Sequence, residues 1–130
     1  KNESVFAYLS CTRGEGYGLP LIDAAVAGIP VIATNWSGHL EFLKPDLFLG
    51  VDYELIKLPE AKIDNRIFYE GFRWASPKKK SFFECLQNLN KNYDLHKSNA
   101  ISLSEMILSK FHKDVIKKQY EKIYSEVVNT

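Results

Sequence analysis

Residues 5–34 decide the fold class predicted for this protein, and they read VFAYLSCTRGEGYGLPLIDAAVAGIPVIAT. The run Val5–Cys11 is nearly all apolar or small, without helical spacing, and this predicts a strand buried on both faces of a parallel sheet. A glycine-bearing turn and Pro20 then predict the start of a helix, and Gly28 predicts its end. Because residues 31–34 form a second apolar run, the whole stretch predicts a βαβ unit.

The sequence after this unit becomes irregular and then predominantly helical. We expect a short helix over 39–43 and a strand-like but interrupted segment over 47–58, whereas 59–74 shows no readable pattern. Three further helices are predicted: one that Ser76 caps and Pro77 opens, one over 98–110 and one over 114–128. The predicted fold class is therefore α/β, a partial parallel sheet flanked by helices with a helical C-terminus. We assign 1–130 to one domain, in which about 1–58 is α/β and about 76–130 is mainly helical.

The composition excludes several classes of protein. The 130 residues include 17 basic and 16 acidic side chains, a formal net charge of +1, which gives no support to nucleic-acid binding by bulk electrostatics. No apolar run approaches the roughly 20 residues that a membrane span needs. Cys11 and Cys85 lie far apart without metal-ligand spacing, so we expect neither a disulfide framework nor a zinc site. A reducing, cytoplasmic setting is expected.

The turn between the first strand and the first helix is the predicted binding site. Ligands of open parallel sheets bind beyond the carboxyl ends of the strands, and free N–H groups at a helix start suit phosphates or sugar hydroxyls. Gly16 and Gly18 let the backbone approach a ligand, because no Cβ intervenes. Glu15 precedes this turn, and we expect Asp23 in the first turn of the helix. Both carboxylates can accept hydrogen bonds from a polyhydroxylated ligand. Arg13 could reach a phosphate, although a solvated loop arginine is the simpler interpretation.

Two familiar nucleotide-binding motifs do not fit this turn. The dinucleotide fingerprint needs a third glycine where this chain has Leu21, and no Gly-Lys-Ser/Thr triplet of a P-loop occurs. No cluster of histidine, cysteine and glutamate has the spacing of metal ligands. The sequence therefore predicts neither a metal nor an organic cofactor.

The stretch 15–34, which reads EGYGLPLIDAAVAGIPVIAT, resembles the signature of family 4 retaining glycosyltransferases. The resemblance covers about residues 5–43 and continues more weakly through 49–55 and 74–77. It implies a GT-B fold, in which two Rossmann-like domains enclose the active site. By this resemblance the chain is the later part of the C-terminal, donor-binding domain.

The resemblance also implies a role for each matching residue. Glu15 matches an acid that lies at the donor sugar and is required for transfer, and Asp23 matches the acid that binds the ribose, commonly a glutamate. In the family, the backbone of the matching turn holds the sugar hydroxyls and the distal phosphate. In this chain that turn consists of Gly16, Tyr17, Gly18 and Leu19.

A second group of candidates follows the second strand. Ser37, Gly38 and Glu41 could edge the nucleotide pocket, and local capping of the short helix by Ser37 is an equal alternative. His39 is interpreted as a structural residue at the start of that helix. Trp36 and Trp74 are assigned to packing, with a role as sugar platforms as the alternative.

The intact enzyme implied by the resemblance moves a hexose from a nucleotide-diphosphate sugar to a glycan or lipid-linked acceptor, in cell-surface polysaccharide synthesis. The leaving diphosphate helps to deprotonate the acceptor, so no side-chain nucleophile and no metal are expected. The family's basic pair on the diphosphate and its N-terminal, acceptor-binding domain have no counterpart in this sequence. We therefore expect the 130-residue chain alone to be inactive, with that domain of the same protein as its partner.

Two alternatives of other classes remain open. The chain could belong to a non-catalytic nucleotide-sugar-binding module or to a sugar-nucleotide epimerase of GT-B type. The last predicted helix carries an apolar stripe opposite its lysines, formed by Ile116, Tyr120, Ile123 and Val127. This stripe predicts packing across the domain, and peripheral contact with the anionic inner face of a membrane is the alternative.

Overall fold

A three-stranded parallel sheet lies at the centre of the structure, a computed structural model that describes residues 5–128. Its strands are β1 (Tyr8–Ser10), β2 (Val31–Thr34) and β3 (Leu49–Val51), in that spatial order. Helix α1 (Leu19–Val26) connects β1 to β2, which pair in parallel. The predicted βαβ unit is therefore confirmed.

Helices cover both faces of this sheet. The alternation of side chains along β2 sends Val31 and Ala33 toward one apolar cluster and Ile32 toward another. The first cluster joins the sheet to α1 and to α3 (Tyr93–Lys110), and the second joins it to α2 (Lys79–Lys91). Because β2 meets apolar side chains on both sides, all four of its residues are buried.

The predicted burial of the first strand on both faces is wrong. The run Val5–Cys11 contributes only the three residues of β1, and Leu9 in that strand is 48% exposed. Within residues 5–128, β1 pairs only with β2, so it is an edge strand. An edge strand has fewer neighbours, which explains why the same kind of apolar run is less buried here than in β2.

The end of α1 anchors the neighbouring helix. Gly28 has a φ of +66° and donates its N–H to the Ala25 carbonyl at 2.9 Å, a glycine-terminated helix end. Two side chains of α3 reach the same end, where Lys97 Nζ donates to Gly28 O at 2.6 Å and Ser104 Oγ donates to Val26 O at 2.7 Å. These contacts hold α3 against α1, and the charge of Lys97 stabilises the carboxyl end of the α1 dipole.

A separate antiparallel hairpin follows the parallel sheet. Its strands are β4 (Tyr53–Lys57) and β5 (Arg73–Pro77), and the break between β3 and β4 at Asp52 confirms the interrupted segment that the sequence predicts. The connection between β4 and β5 is ordered by Asp64, whose Oδ1 accepts the backbone N–H groups of Arg66, Ile67 and Phe68. These hydrogen bonds, that of Phe68 foremost, lower the pKa of the Asp64 carboxyl.

Three predicted helix starts differ from the structure. Ser76 and Pro77 lie at the end of β5, and α2 begins at Lys79, because pairing with β4 outweighs the local capping pattern. Helix α3 begins at Tyr93, five residues before the predicted start. The predicted short helix over 39–43 is a 3₁₀ turn over Gly38–Glu41.

The last helix, α4 (Lys113–Val128), lies against little else. It has no buried residue, and Tyr120 in its apolar stripe is 71% exposed. The predicted packing of this stripe across the domain is therefore wrong within the described chain. Ion pairs along the helix surface, such as Lys117–Glu121 at 3.7 Å, support the helix locally. None of the helices between residues 5 and 128 combines the length and apolarity of a membrane span.

Candidate functional site

The turn that precedes α1 takes its shape from Gly18. This residue has a φ of +83°, and its carbonyl accepts the first N–H groups of the helix, from Leu21 at 2.9 Å and Ile22 at 3.1 Å. A Cβ at this position would lie 3.0 Å from Leu21 Cδ1 and 3.2 Å from His39 Cβ. Both the left-handed backbone and the space therefore favour glycine at this position.

The turn contains a row of backbone donors without partners in the described chain, and its residues are exposed except for Gly18, which is buried. No hydrogen bond among residues 5–128 uses the N–H of four consecutive residues, which are Gly16, Tyr17, Gly18 and Leu19. A Cβ placed on Gly16 would meet nothing within 4 Å, so the backbone is open to approach there. Unsatisfied amides at the start of a helix bind anions and hydroxyl oxygens. The structure thus brings the predicted backbone donors into one turn at the end of β1.

Glu15 is held in this turn through its backbone alone. Its N–H donates to Ser37 Oγ at 2.9 Å, and its carbonyl accepts from Ser37 Oγ at 2.6 Å and from the Gly38 N–H at 3.1 Å. The Glu15 carboxylate has no hydrogen-bond or ion-pair partner in the part of the chain that the structure describes. An acid whose position is fixed while its side chain is unpaired can accept hydrogen bonds from a ligand.

Ser37 and Gly38, at the start of the 3₁₀ turn after β2, contact the turn that precedes α1. Ser37 makes no side-chain capping bond to the 3₁₀ turn, so the alternative of local capping by its side chain is wrong. Its φ of +93° is unusual for a serine. A Cβ on Gly38 would lie 1.9 Å from the Gly16 carbonyl oxygen. The two loops therefore meet backbone to backbone, which requires glycine at position 38.

His39 has the structural role that the sequence predicts. The side chain is fully buried, and its Nε2 lies 2.7 Å from the Thr34 carbonyl oxygen, to which it donates. Thr34 Oγ1 in turn donates to the Thr12 carbonyl at 2.7 Å. The bond from Thr34 connects the end of β2 to the loop after β1, and the bond from His39 fixes the 3₁₀ turn to the end of β2.

Asp23 and Glu41 lie apart from this group of contacts. Asp23 is exposed at the fifth position of α1, so the prediction that it lies in the first helical turn is wrong. Glu41 forms an ion pair with Lys110 of α3, and this contact lowers the pKa of the Glu41 carboxyl. The structure therefore brings Ser37 and Gly38 to Glu15, whereas the carboxylate of Glu41 is held by α3.

A cavity of about 640 Å³ lies beside Glu15, between the two loops and the hairpin. The Ala75 N–H of β5 donates to the Arg13 carbonyl at 2.9 Å and so fastens the hairpin to the loop after β1. The Arg13 guanidinium lies 4.7 Å from the centre of the Trp74 ring. The principal side chains around the cavity are those of Arg13, Glu15, Trp36, Phe68, Arg73 and Trp74.

Sequence reasoning missed two members of this cavity, Phe68 and Arg73. Both lie within 59–74, the segment without a readable pattern, and no motif spacing connects either of them to Glu15. The antiparallel pairing of β5 with β4 positions Arg73, whereas Phe68 lies in the connection between these strands and its ring contacts Trp74 of β5. In the described chain, no three side chains of histidine, cysteine, aspartate or glutamate converge on one point as a metal site requires.

The chain matches no protein-family profile, and no curated protein matches it either.

Proposed function

We propose that this chain is the donor-binding part of a retaining glycosyltransferase of GT-B architecture, with its parallel sheet as part of a Rossmann-like domain. The observation that carries this proposal is the row of four free N–H groups, at 16–19, beside the unpaired carboxylate of Glu15. A nucleotide-diphosphate hexose offers the matching chemistry, because its phosphates accept from amides and its hydroxyls donate to a carboxylate. The resemblance of 15–34 to the family 4 signature supports the same ligand.

Each element of the turn has a role in this proposal. The amides of 16–19 hold the distal phosphate and hydroxyls of the donor sugar, and Glu15 accepts from a further sugar hydroxyl. Asp23, exposed on α1 beyond the turn, accepts from the ribose. The complete protein transfers the hexose to a glycan or lipid-linked acceptor in cell-surface polysaccharide synthesis.

Transfer in this proposal breaks the bond between the anomeric carbon and the diphosphate oxygen. The acceptor hydroxyl oxygen forms the new bond on the same face of the sugar, and its proton passes to an oxygen of the leaving diphosphate. The residues of this chain orient the donor and supply hydrogen bonds to it, so their loss weakens donor binding as well as turnover.

Glu15→Gln tests the proposal without disturbing the turn, because Ser37 and Gly38 hold Glu15 by its backbone. We expect UDP-, GDP- and ADP-hexoses, titrated against the chain, to shift the amide NMR signals of 16–19 for at least one donor. Loss of a charged acceptor costs about 1.5–3 kcal/mol, so Glu15→Gln raises the dissociation constant of that donor about tenfold or more. In the complete protein the same substitution abolishes sugar transfer.

The matched control is Glu105→Gln, which removes an exposed carboxylate on α3 that is distant in sequence from the turn. This variant is expected to bind the donor and to transfer sugar as the parent does. The proposal fails if no nucleotide sugar shifts the signals of 16–19, or if Glu15→Gln binds and turns over the donor normally.

A further inference from the structure

Three aromatic side chains lie around the cavity beside Glu15, and packing holds each in place. Phe68 and Trp74 meet edge to face with their ring centres 6.2 Å apart, and Trp36 lies against Tyr53 of β4 at 5.3 Å. Trp36 and Trp74 are half-buried, so part of each indole remains accessible. The negative ring faces of aromatic side chains attract the weakly positive C–H groups of a pyranose. Rigid indoles at an open cavity therefore suit a sugar ring.

The charge of this cavity is predominantly positive. Arg13 and Arg73 contribute two guanidinium groups, and Glu15 is the single acidic side chain among the residues that form the cavity wall. Neither arginine side chain takes part in an ion pair or a hydrogen bond within residues 5–128. Arg13 lies over the Trp74 ring, a stacking contact that leaves its N–H donors unused. Unpaired guanidinium groups bind carboxylates and phosphates, often through two parallel hydrogen bonds.

We propose that this aromatic and cationic cavity binds a pyranose that carries an anionic group, with the ring against the indoles and the anion on Arg13 and Arg73. This inference rests on the proposed function, because Glu15 borders both the cavity and the turn. The pyranose in the cavity would therefore lie beside the donor sugar at the turn. The cavity then supplies the part of the acceptor site that lies in this chain, whereas the resemblance assigns most of that site to the N-terminal domain. Two sources supply the same chemistry, a uronic acid within a glycan and a phosphate-linked sugar.

The position of the cavity agrees with such a role. The loops after β1 and β2 form one wall, and the hairpin that carries Phe68, Arg73 and Trp74 forms the other. The hairpin is fastened to the loop after β1 by the bond between the Ala75 N–H and the Arg13 carbonyl. A ligand in this cavity would therefore contact the residue that the proposed function assigns to the donor sugar.

The two tryptophans of the chain, Trp36 and Trp74, both border the cavity and provide a direct readout. We would incorporate 5-fluorotryptophan, assign its two ¹⁹F NMR signals with Trp36→Phe and Trp74→Phe, and titrate three probes. These probes are methyl glucuronide, glucose 1-phosphate and the neutral methyl glucoside. We expect saturable shifts with one or both anionic probes, and which of them binds identifies the source of the anion.

Arginine variants separate charge recognition from stacking. Arg73→Gln and Arg13→Gln, both at exposed residues, are expected to raise the dissociation constant of the anionic probe about fivefold or more. The control is Arg66→Gln, which removes an exposed arginine of the same hairpin that lies outside the cavity wall. We expect this variant to bind the anionic probe with a dissociation constant within about twofold of the parent value.

The inference is overturned if neither anionic probe shifts the ¹⁹F signals, if the neutral glucoside binds equally well, or if both arginine variants bind like the Arg66→Gln control. The amide signals of 16–19 report donor binding independently of the indoles. If nucleotide sugars shift those amides while the sugar probes leave the indoles unchanged, the cavity assignment alone fails. If nucleotide sugars leave the amides unchanged, the proposed function fails first.

Discussion

Gly16 and Gly38 show that residues of the same type can be required for opposite reasons. Gly38 is needed by the fold, because any side chain there would overlap the Gly16 carbonyl oxygen. Gly16 faces open space and has no positive φ, so the fold would accept a larger residue at this position. In the proposed function, the absence of a side chain at Gly16 serves the ligand instead.

Alanine substitutions distinguish these two roles. Gly38→Ala is expected to lower the free energy of unfolding by about 3 kcal/mol, because a backbone oxygen cannot yield as a flexible side chain can. Gly16→Ala is expected to change it by no more than about 0.5 kcal/mol. Urea denaturation followed by circular dichroism measures both values. Comparable destabilisation by the two substitutions would contradict the close backbone contact between the loops.

For Gly16→Ala we also expect weaker donor binding in a fold of unchanged stability, because the added methyl group lies beside the free amides. Calorimetric titration with the nucleotide sugar identified for the parent chain measures this effect. Unchanged donor affinity in a stably folded Gly16→Ala variant would mean that the ligand does not approach this backbone.

The helices differ in how far the fold depends on them. Helix α3 presents Ala100, Leu103 and Ile107 to the cluster that also contains α1 and β2, and it is joined to the end of α1 by two side-chain hydrogen bonds. Helix α4 buries none of its residues and depends on ion pairs along its own surface. Of these two helices, only α3 therefore contributes a substantial hydrophobic term to stability.

Paired substitutions test this difference between the two helices. Leu103→Ala is expected to lower the free energy of unfolding by about 3 kcal/mol, because it leaves a cavity among fully buried side chains. Tyr120→Ser on α4 is expected to change it by less than about 0.5 kcal/mol, since the ring is largely exposed and the two residues have similar helix propensities. A loss of several kcal/mol in the α4 variant would show that its apolar stripe is covered.

At the scale of the whole molecule, the packing of helices against the sheet partly buries a histidine whose protonation depends on pH. A second cavity, of about 510 Å³, lies where α2, α3 and β3 meet, and His96 of α3 borders it. Burial lowers the pKa of His96 from its ordinary 6.5, and its Nε2 has no hydrogen-bond partner within residues 5–128. The folded state thus favours the neutral imidazole, whereas the unfolded chain protonates at the ordinary pKa.

It follows that acidification should weaken the fold through His96. The contribution of this residue is fully present above the unfolded pKa of 6.5 and is lost as the pH falls through that value toward the lower folded pKa. His96→Gln removes the titration, so we expect the parent chain to lose more stability than the variant between about pH 7.5 and 5. Thermal unfolding of both proteins across this range measures the difference, and parallel stability profiles would exclude His96 as its source.

Local pattern determined the central part of this protein. The apolar runs, Pro20 and Gly28 are sufficient to predict the βαβ unit, because strand periodicity and helix termination depend on neighbouring residues. Glu15 and the turn glycines are predictable for the same reason, since this part of the candidate site lies within one continuous stretch. Ser37 and Gly38 were candidates from their place after β2, but their backbone contacts with Glu15 were not predictable.

Tertiary structure decided the rest. Ser76 and Pro77 have the local pattern of a helix start, yet they extend a strand because β4 offers a pairing partner. Phe68 and Arg73 reach the cavity only because the hairpin folds over the loop after β1. The exposure of β1 and of α4 likewise depends on which neighbours are present. Nearby residues specify where an element begins and ends, whereas burial and the assembly of a cavity depend on contacts between segments distant in sequence, which the sequence pattern does not encode locally.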